Sequence, residues 1–195
     1  MHWRNRNDRY GLVAILLHWW TALAVLVLFS LGLWMTSLDY YDPWYRSAPD
    51  IHRGLGVLVA ITVVFRLAWR LRDRTPDPDP GHSLAERRIA RFVHGLLYAL
   101  LLLTGLAGYL ISTADGRSVD VFGLFSVPAT IHGLANQEDV AGTAHLTLAI
   151  ALVSVAGIHA LAALKHHILD RDRTLLRMLG RGPRSDPHHP QGDTP

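Results

Sequence analysis

Residues 143–164 read TAHLTLAIALVSVAGIHALAAL, a run without a single charged side chain. A helix of that length rises about 33 Å, which is enough to cross a hydrocarbon core about 30 Å thick. The run contains His145 and His159, whose separation of 14 residues is close to four helical turns. Both imidazoles therefore leave one face of a predicted membrane-spanning helix, about 21 Å apart along its axis.

Three further apolar runs lie upstream, at 11–35, 52–71 and 92–111. None alternates with a period of two, which excludes a β-barrel, and two of them lack the polar face of a soluble helix. The first run is also too long for a signal peptide and has no small-residue cleavage site. The sequence therefore predicts an all-α fold, an integral membrane four-helix bundle. Its single domain spans 1–180, and its last helix covers 143–168.

Composition narrows the chemistry that such a bundle can perform. The chain has 195 residues, of which 50% are hydrophobic and 18% charged. It has no cysteine, which excludes disulfides, thiolate zinc sites, iron–sulfur clusters and covalently attached haem. The 12 histidines indicate imidazole ligation or proton handling.

Positive charge is distributed unequally along the chain. Of the 19 lysines and arginines, 16 lie in the N-terminal tail, around the second connection or after the last run. The positive-inside rule therefore predicts both termini in the cytoplasm and the loops 36–51 and 112–142 outside. This topology explains the pI near 9.6 through lipid headgroups, with the bilayer as partner and no nucleic acid. Within the outer loop, 126–142 is expected to form a short helix over the bundle, and 181–195 a disordered tail.

Four histidines fall into two pairs of equal depth. His18 and His159 lie about 10 and 12 Å from the cytoplasmic ends of their runs, whereas His52 and His145 both lie at outer ends. Two opposed imidazoles at one depth are what a six-coordinate b haem requires. Zinc fits less well, because no carboxylate or thiolate joins either pair. The pattern predicts two b haems stacked across the membrane, rather than histidines that only hydrogen-bond carbonyls.

Two more histidines lie near the predicted cytoplasmic side. His166 follows His159 by two turns on the same face, and we expect it to hydrogen-bond a quinone carbonyl and relay its proton. His94, about 5 Å inside the start of the third run, is expected either to contact a haem propionate or the quinone, or to be a satisfied interfacial histidine. The arginines at the end of the second run are expected to anchor the helix to lipid: Arg66, Arg70 and Arg72.

Three glycines leave two interpretations open. Gly56 lies one turn after His52, while Gly105 and Gly108 lie in the third run. Small residues here could let a porphyrin approach the backbone, or could serve ordinary helix packing.

Five segments together resemble the bacterial cytochrome b561 family of four-helix, di-haem membrane cytochromes. They are ILLHWW, IHRGLG with FRLAWRLR, ARFVHGLLYALLLLTGLAGYL, ADGRSVDVFGLF and TAHLTLAIALVSVAGIHALAALKHHILDRDRTLLRML, within about residues 8 to 180. The resemblance implies that His18 pairs with His159, and His52 with His145, as axial ligands of the haem irons. It also implies an inner-membrane oxidoreductase that takes electrons from periplasmic superoxide and reduces ubiquinone.

Two questions of function stay open at this point. Arg53, beside an implied ligand, could attract superoxide, or could pair with a haem propionate or a surface group. The alternative function is a cytochrome b subunit that relays electrons from a periplasmic redox protein, such as a hydrogenase or dehydrogenase, to quinone. A transporter or proton channel is disfavoured, because the runs are continuous and contain no buried carboxylate.

Overall fold

The computed structural model describes residues 2–79 and 81–181, and it is helical along most of that length. The helices are α1 (Leu12–Met35), α2 (Ser47–Arg72), α3 (Leu84–Thr113), α4 (Gln137–Ile168) and α5 (Thr174–Met178). Each of the first four contains an 18-residue stretch apolar enough to cross a membrane. The predicted all-helical architecture with four membrane-spanning helices is thus confirmed.

The second, third and fourth helices begin earlier than hydropathy predicts. They start at Ser47, Leu84 and Gln137, where apolar runs from 52, 92 and 143 were expected. Polar first turns stay helical outside the apolar segment when their free N–H groups are capped. At α3 the Ser83 hydroxyl accepts from the Glu86 N–H (3.3 Å) and the Glu86 carboxylate accepts from the Ser83 N–H (2.8 Å).

The bundle core lies at mid-height. Ala24 of α1 packs with Val59 and Val63 of α2, and three half-buried side chains surround them: Leu28, Tyr98 and Leu101. α3 packs extensively on α4, whereas α1 touches α4 only sparsely. Large apolar side chains on the outer faces stay exposed, as expected of helices that face lipid.

Three chain segments meet at one end of the bundle, which we call the termini end. The Asn5 amide donates to the Arg74 carbonyl (2.8 Å), and the Arg177 guanidinium donates to the Asp77 carbonyl (2.7 Å). Trp19 donates its indole N–H to the carbonyl of Met178 in α5 (2.8 Å). These bonds join the N-terminal segment, the proline-rich connection before α3 and the segment after α4. The tail predicted at 181–195 lies outside the described residues, apart from Arg181.

The opposite end carries a β-hairpin, and we call it the hairpin end. Strands β1 (Val119–Val121) and β2 (Phe125–Val127) pair antiparallel, with Val119 opposite Val127. The expectation of a separate helix at 126–142 is wrong, because 126–136 is not helical and the remainder forms the first turns of α4. Asn136 precedes α4 in the left-handed conformation (φ 54°), which breaks the helix there.

Hydrogen bonds from α3 hold this outer loop in place. The Tyr109 hydroxyl donates to the Pro128 carbonyl and accepts from the Thr130 N–H, both at 2.8 Å. The fully buried Thr113 hydroxyl donates to the Ile131 carbonyl (2.9 Å). The loop therefore has a fixed position over the ends of the helices.

Candidate functional site

Both histidine pairs expected from depth and helical face are brought together. Towards the hairpin end, the rings of His52 and His145 have centroids 6.0 Å apart and planes at 74°. Towards the termini end, the His18 and His159 centroids are 6.5 Å apart at 69°. The apolar core around Val59 and Val63 separates the two pairs.

The ring separations can be compared with the requirement of an axially ligated iron. Metal–imidazole bonds are about 2 Å long, and a ring centroid lies about 1.1 Å from each nitrogen. Two imidazoles on opposite sides of one iron therefore have centroids roughly 6 Å apart. Both pairs meet this requirement, and all four side chains are half-buried in the bundle.

The surroundings of His145 also favour a ligand. Its Nδ1 lies 3.0 Å from the Thr104 carbonyl, and donation of Nδ1–H to that carbonyl leaves Nε2 free to bind a metal. A Cβ added to Gly108 would lie 3.1 Å from His145 Cε1. Gly32 has the same relation to His52, with 3.2 Å to Cε1. A glycine thus leaves room for each of these imidazoles, and His52 Nδ1 is buried without a hydrogen bond.

The three glycines singled out from the sequence have different surroundings. Gly108 contacts an imidazole, and Gly105 faces the Ala60 side chain at an ordinary packing distance of 3.6 Å. Gly56 has open space, with nothing within 4 Å of an added Cβ. Helix packing explains Gly105, while Gly56 leaves room for a bulky group one turn from His52.

Arg66 has a different role from the one expected of a lipid anchor. Its guanidinium Nη2 lies 2.8 Å from His18 Nδ1, and its Cζ lies 5.4 Å above the Tyr98 ring. The side chain therefore points into the bundle, beside the His18 and His159 pair. Donation by Arg66 makes Nδ1 an acceptor and puts the ring proton on Nε2, so iron binding through Nε2 requires the other tautomer of His18.

His94 lies deeper than the apolar run suggests. Because α3 begins at Leu84, His94 is about 15 Å along the helix instead of about 5 Å. Its ring centroid is 5.2 Å from that of His159, in an edge contact at 67°. Three histidines, His18, His94 and His159, therefore share one level, and the placement of His94 near the helix start was wrong.

His166 lies at the termini end, in a second polar cluster. Its ring centroid is 4.7 Å from that of His82, and its Nδ1 lies 2.7 Å from Asp170 and 3.5 Å from Asp172. The His82 ring also hydrogen-bonds the Asp172 carboxylate (2.7 Å). Lys165 donates to Asp170 and lowers the pKa of that carboxyl.

A cleft of about 380 Å³ at the hairpin end contains Arg53. Arg53 forms an ion pair with Asp50, and Arg117 pairs with Asp115 and lowers the pKa of that carboxyl. The charges lining the cleft are thus mixed. Phe122 closes one side of it, with its ring 2.8 Å from the position of a Cβ on Gly54.

Sequence reasoning overlooked several of these contacts. Arg66 follows His52 by 14 residues, the same spacing that places His145 and His159 on one face, so its inward direction could have been inferred. The Ser83–Glu86 capping box could likewise have been recognised in the sequence. It marks the true start of α3, from which the depth of His94 along the helix follows. The contact of His82 with Asp172 joins residues 90 positions apart in the sequence, so no local sequence pattern predicts it.

Comparison with known proteins yields consistent similarities. A profile of the family described as prokaryotic cytochrome b561 matches residues 9–181. The chain is 45% identical to cytochrome b561 homolog 2 of Escherichia coli K12, over 93% of this chain and 96% of that protein. It is 31% identical to a probable superoxide oxidase, CybB, of Yersinia pestis, over 89% and 97% of the two chains. Cytochrome b561 homolog 1 of E. coli K12 is 26% identical, over 89% and 98%.

Proposed function

This chain belongs to the prokaryotic cytochrome b561 family of membrane electron-transfer proteins, and we propose that it oxidises periplasmic superoxide and reduces ubiquinone. The family binds b haems, and the chain is a multi-pass protein of the bacterial inner membrane. Two superoxide anions each lose one electron and leave as O₂, and one ubiquinone takes up both electrons and two protons to form ubiquinol. We further propose that residues 1–180 form one domain.

The observation that carries the proposal is the position of the two histidine pairs on α4. His145 and His159 leave one face of that helix, and their ring centroids lie 6.0 and 6.5 Å from the ring of a histidine on a neighbouring helix. We assign His52 and His145 as ligands of one haem iron, and His18 and His159 as ligands of the other. The two haems supply one-electron redox chemistry and the path for electrons between the faces.

The direction of transfer follows from the proposed orientation. Among the described residues, 15 of the 18 lysines and arginines belong to segments at or near the termini end, so we place that end in the cytoplasm and the hairpin end in the periplasm. The cleft near His52, which is lined by both positive and negative side chains, would then face the periplasm. Arg53 is its cation nearest in sequence to a proposed ligand, and we assign it to the attraction of superoxide. The name of the Yersinia pestis relative supports superoxide as donor.

On the opposite side, we propose that ubiquinone binds near His166. This histidine is two turns beyond His159 on α4, and it can exchange protons with Asp170, which lies 2.7 Å away. His94 fills the space beside His159, and we assign it to a haem propionate or to the quinone rather than to iron.

The test uses the purified, haem-loaded protein under anaerobic conditions with ubiquinone present. Pulses of superoxide should first reduce the haems and then produce about one ubiquinol for every two superoxide anions consumed. Arg53→Gln should slow haem reduction by superoxide and make its rate less dependent on ionic strength. The matched Arg46→Gln should change neither the rate nor its dependence on ionic strength. Haem reduction by a co-purifying periplasmic protein, with none by superoxide, would instead identify a relay subunit.

A further inference from the structure

A group of three potential metal ligands lies at the termini end, away from both histidine pairs. It consists of His82, His166 and Asp172, and one ligand atom of each lies within 4.8 Å of the others. His82 belongs to the connection before α3, whereas the other two lie at and beyond the end of α4. The fold thus brings two imidazoles and a carboxylate together from distant parts of the chain.

The donor set and its spacing suit a divalent transition metal. Two histidines and one carboxylate, with a solvent molecule as fourth ligand, form a common zinc arrangement. Tetrahedral bonds of about 2.0–2.1 Å place ligand atoms about 3.3 Å apart. Here His166 Nδ1 is 3.5 Å from the Asp172 oxygen, and His82 Nε2 is 2.7 Å from the same oxygen. Small side-chain shifts would bring both distances to that value.

One of the proposed ligand atoms, Nδ1 of His166, has no well-formed hydrogen bond that a metal ion would have to displace. His166 Nδ1 is buried and lies 2.7 Å from an Asp170 oxygen and 3.5 Å from an Asp172 oxygen, but neither contact has the angles of a hydrogen bond. Asp172 is held in place by the Thr174 backbone N–H (2.9 Å), and its side chain is only 8% exposed. A buried carboxylate beside two imidazoles supplies the negative charge that a dication needs.

A cation can reach two of these ligands, His82 and Asp172, from a solvent-filled cleft. A cleft of about 470 Å³ is lined by His82 and Asp172 and by three further carboxylates: Asp79, Glu86 and Asp170. Two arginines also line it, but the carboxylates outnumber them, and Asp170 adds an oxygen 2.7 Å from His166 Nδ1. The cleft therefore offers both an entry path and additional ligands.

We propose that His82, His166 and Asp172 form a Zn²⁺ site that clamps the connection before α3 to the end of α4. A bound ion would occupy His166 Nδ1 and prevent it from exchanging protons. If His166 serves the quinone, a consequence that rests on the proposed function, Zn²⁺ should inhibit ubiquinol formation without affecting haem reduction.

The binding test uses the oxidised, haem-loaded full chain without a histidine tag, titrated with Zn²⁺ against a chromophoric chelator. The parent carries His188→Asn and His189→Asn, which removes a competing pair in the tail. It should bind about one Zn²⁺. His82→Asn and Asp172→Asn should each weaken binding at least about tenfold, since even outer-shell losses cost about 10- to 100-fold. The matched control, His132→Asn in the outer loop, should bind like the parent.

The outcomes separate the metal site from its consequence. Parent-like affinity in both ligand variants, with haem content intact, would show that the group is only a hydrogen-bonded contact between segments. Zn²⁺ should slow ubiquinol formation by the parent but not by His82→Asn. If Zn²⁺ binds to the parent without slowing ubiquinol formation, the proposed effect on quinone reduction is refuted but the metal site itself is supported. Failure of superoxide to reduce the haems would refute the proposed function alone.

Discussion

The imidazole rings of His94 and His159 have centroids 5.2 Å apart, closer than the 6.5 Å between His18 and His159. Two axial ligands of one iron need roughly 6 Å between centroids. The His94 ring is thus too close to His159 to face it across a metal, which agrees with its assignment to a haem propionate or to the quinone.

Replacement of the histidines should reveal this difference directly. We expect His18→Ala to reduce the haem content from about two per chain to about one, because the haem iron proposed between α1 and α4 would lose a ligand. His94→Ala should retain about two haems, with a changed midpoint potential at one of them. Haem content measured as the pyridine complex decides between these assignments. Loss of a haem in His94→Ala and its retention in His18→Ala would exchange the roles of the two residues.

Arg66 should raise the reduction potential of the haem nearer the termini end. A positive charge destabilises the oxidised, more positive iron, and at roughly 7 to 10 Å in a medium of effective dielectric about 20 it is worth roughly 2 kcal/mol. One electron and a tenfold change in equilibrium constant correspond to about 59 mV. Arg66→Gln should therefore lower one midpoint potential by several tens of millivolts in a spectroelectrochemical titration.

Arg66→Lys is the matched control for charge. Because lysine keeps the positive charge, the midpoint potential of that haem should stay close to the wild-type value, although the planar contact above Tyr98 is lost. Equal potentials in the wild type and in Arg66→Gln would place the guanidinium outside the field of that haem.

Gly108 should be sensitive to a single added methyl group. The Cβ of Gly108→Ala would lie 3.1 Å from Cε1 and 3.2 Å from Nδ1 of His145, so the ring or the helix must shift. We expect lower occupancy or an altered spectrum of the haem at His52 and His145. Gly105→Ala, one turn earlier on α3, meets only Ala60 at 3.6 Å and should retain a normal spectrum. Similar haem spectra in the two variants would argue against close packing of the His145 ring on Gly108.

The sequence predicted the helices and the paired histidines because both depend on local periodicity. Apolar runs long enough to span a bilayer identify α1 to α4, and the 14-residue spacing places His145 and His159 on one face. The helix starts were missed because polar first turns extend α2, α3 and α4 beyond their apolar parts. At α3, where a capping box holds that turn, the error misplaced His94. The β-hairpin at 119–127 has strands of only three residues each. Its pairing depends on contacts with α2 and α3 that no short motif encodes.

Tyr109 should control the order of the outer loop. Tyr109→Phe removes the hydroxyl that bonds the Pro128 carbonyl and the Thr130 N–H. Loss of such bonds costs about 1–2 kcal/mol, which corresponds to a factor of about 5 to 30 in local opening. Hydrogen exchange at the amides of residues 119–131 should accelerate by that factor. The exposed Tyr41→Phe serves as control, and equal acceleration there would indicate a general loss of stability.

Asp172 should determine how the termini end responds to acid. Burial opposes ionisation, but hydrogen bonds from the Thr174 backbone and from His82 outweigh it, and the pKa of Asp172 is held below its usual value of 3.8. A carboxyl whose pKa is depressed by folding stabilises the folded state above its ordinary pKa, and this contribution disappears as the pH falls through the folded value. In chelator-treated protein, the wild type should therefore melt at a higher temperature than Asp172→Asn from neutral pH down to about pH 4. Below that pH the difference should shrink, and a difference that stays constant down to pH 3 would contradict the assignment.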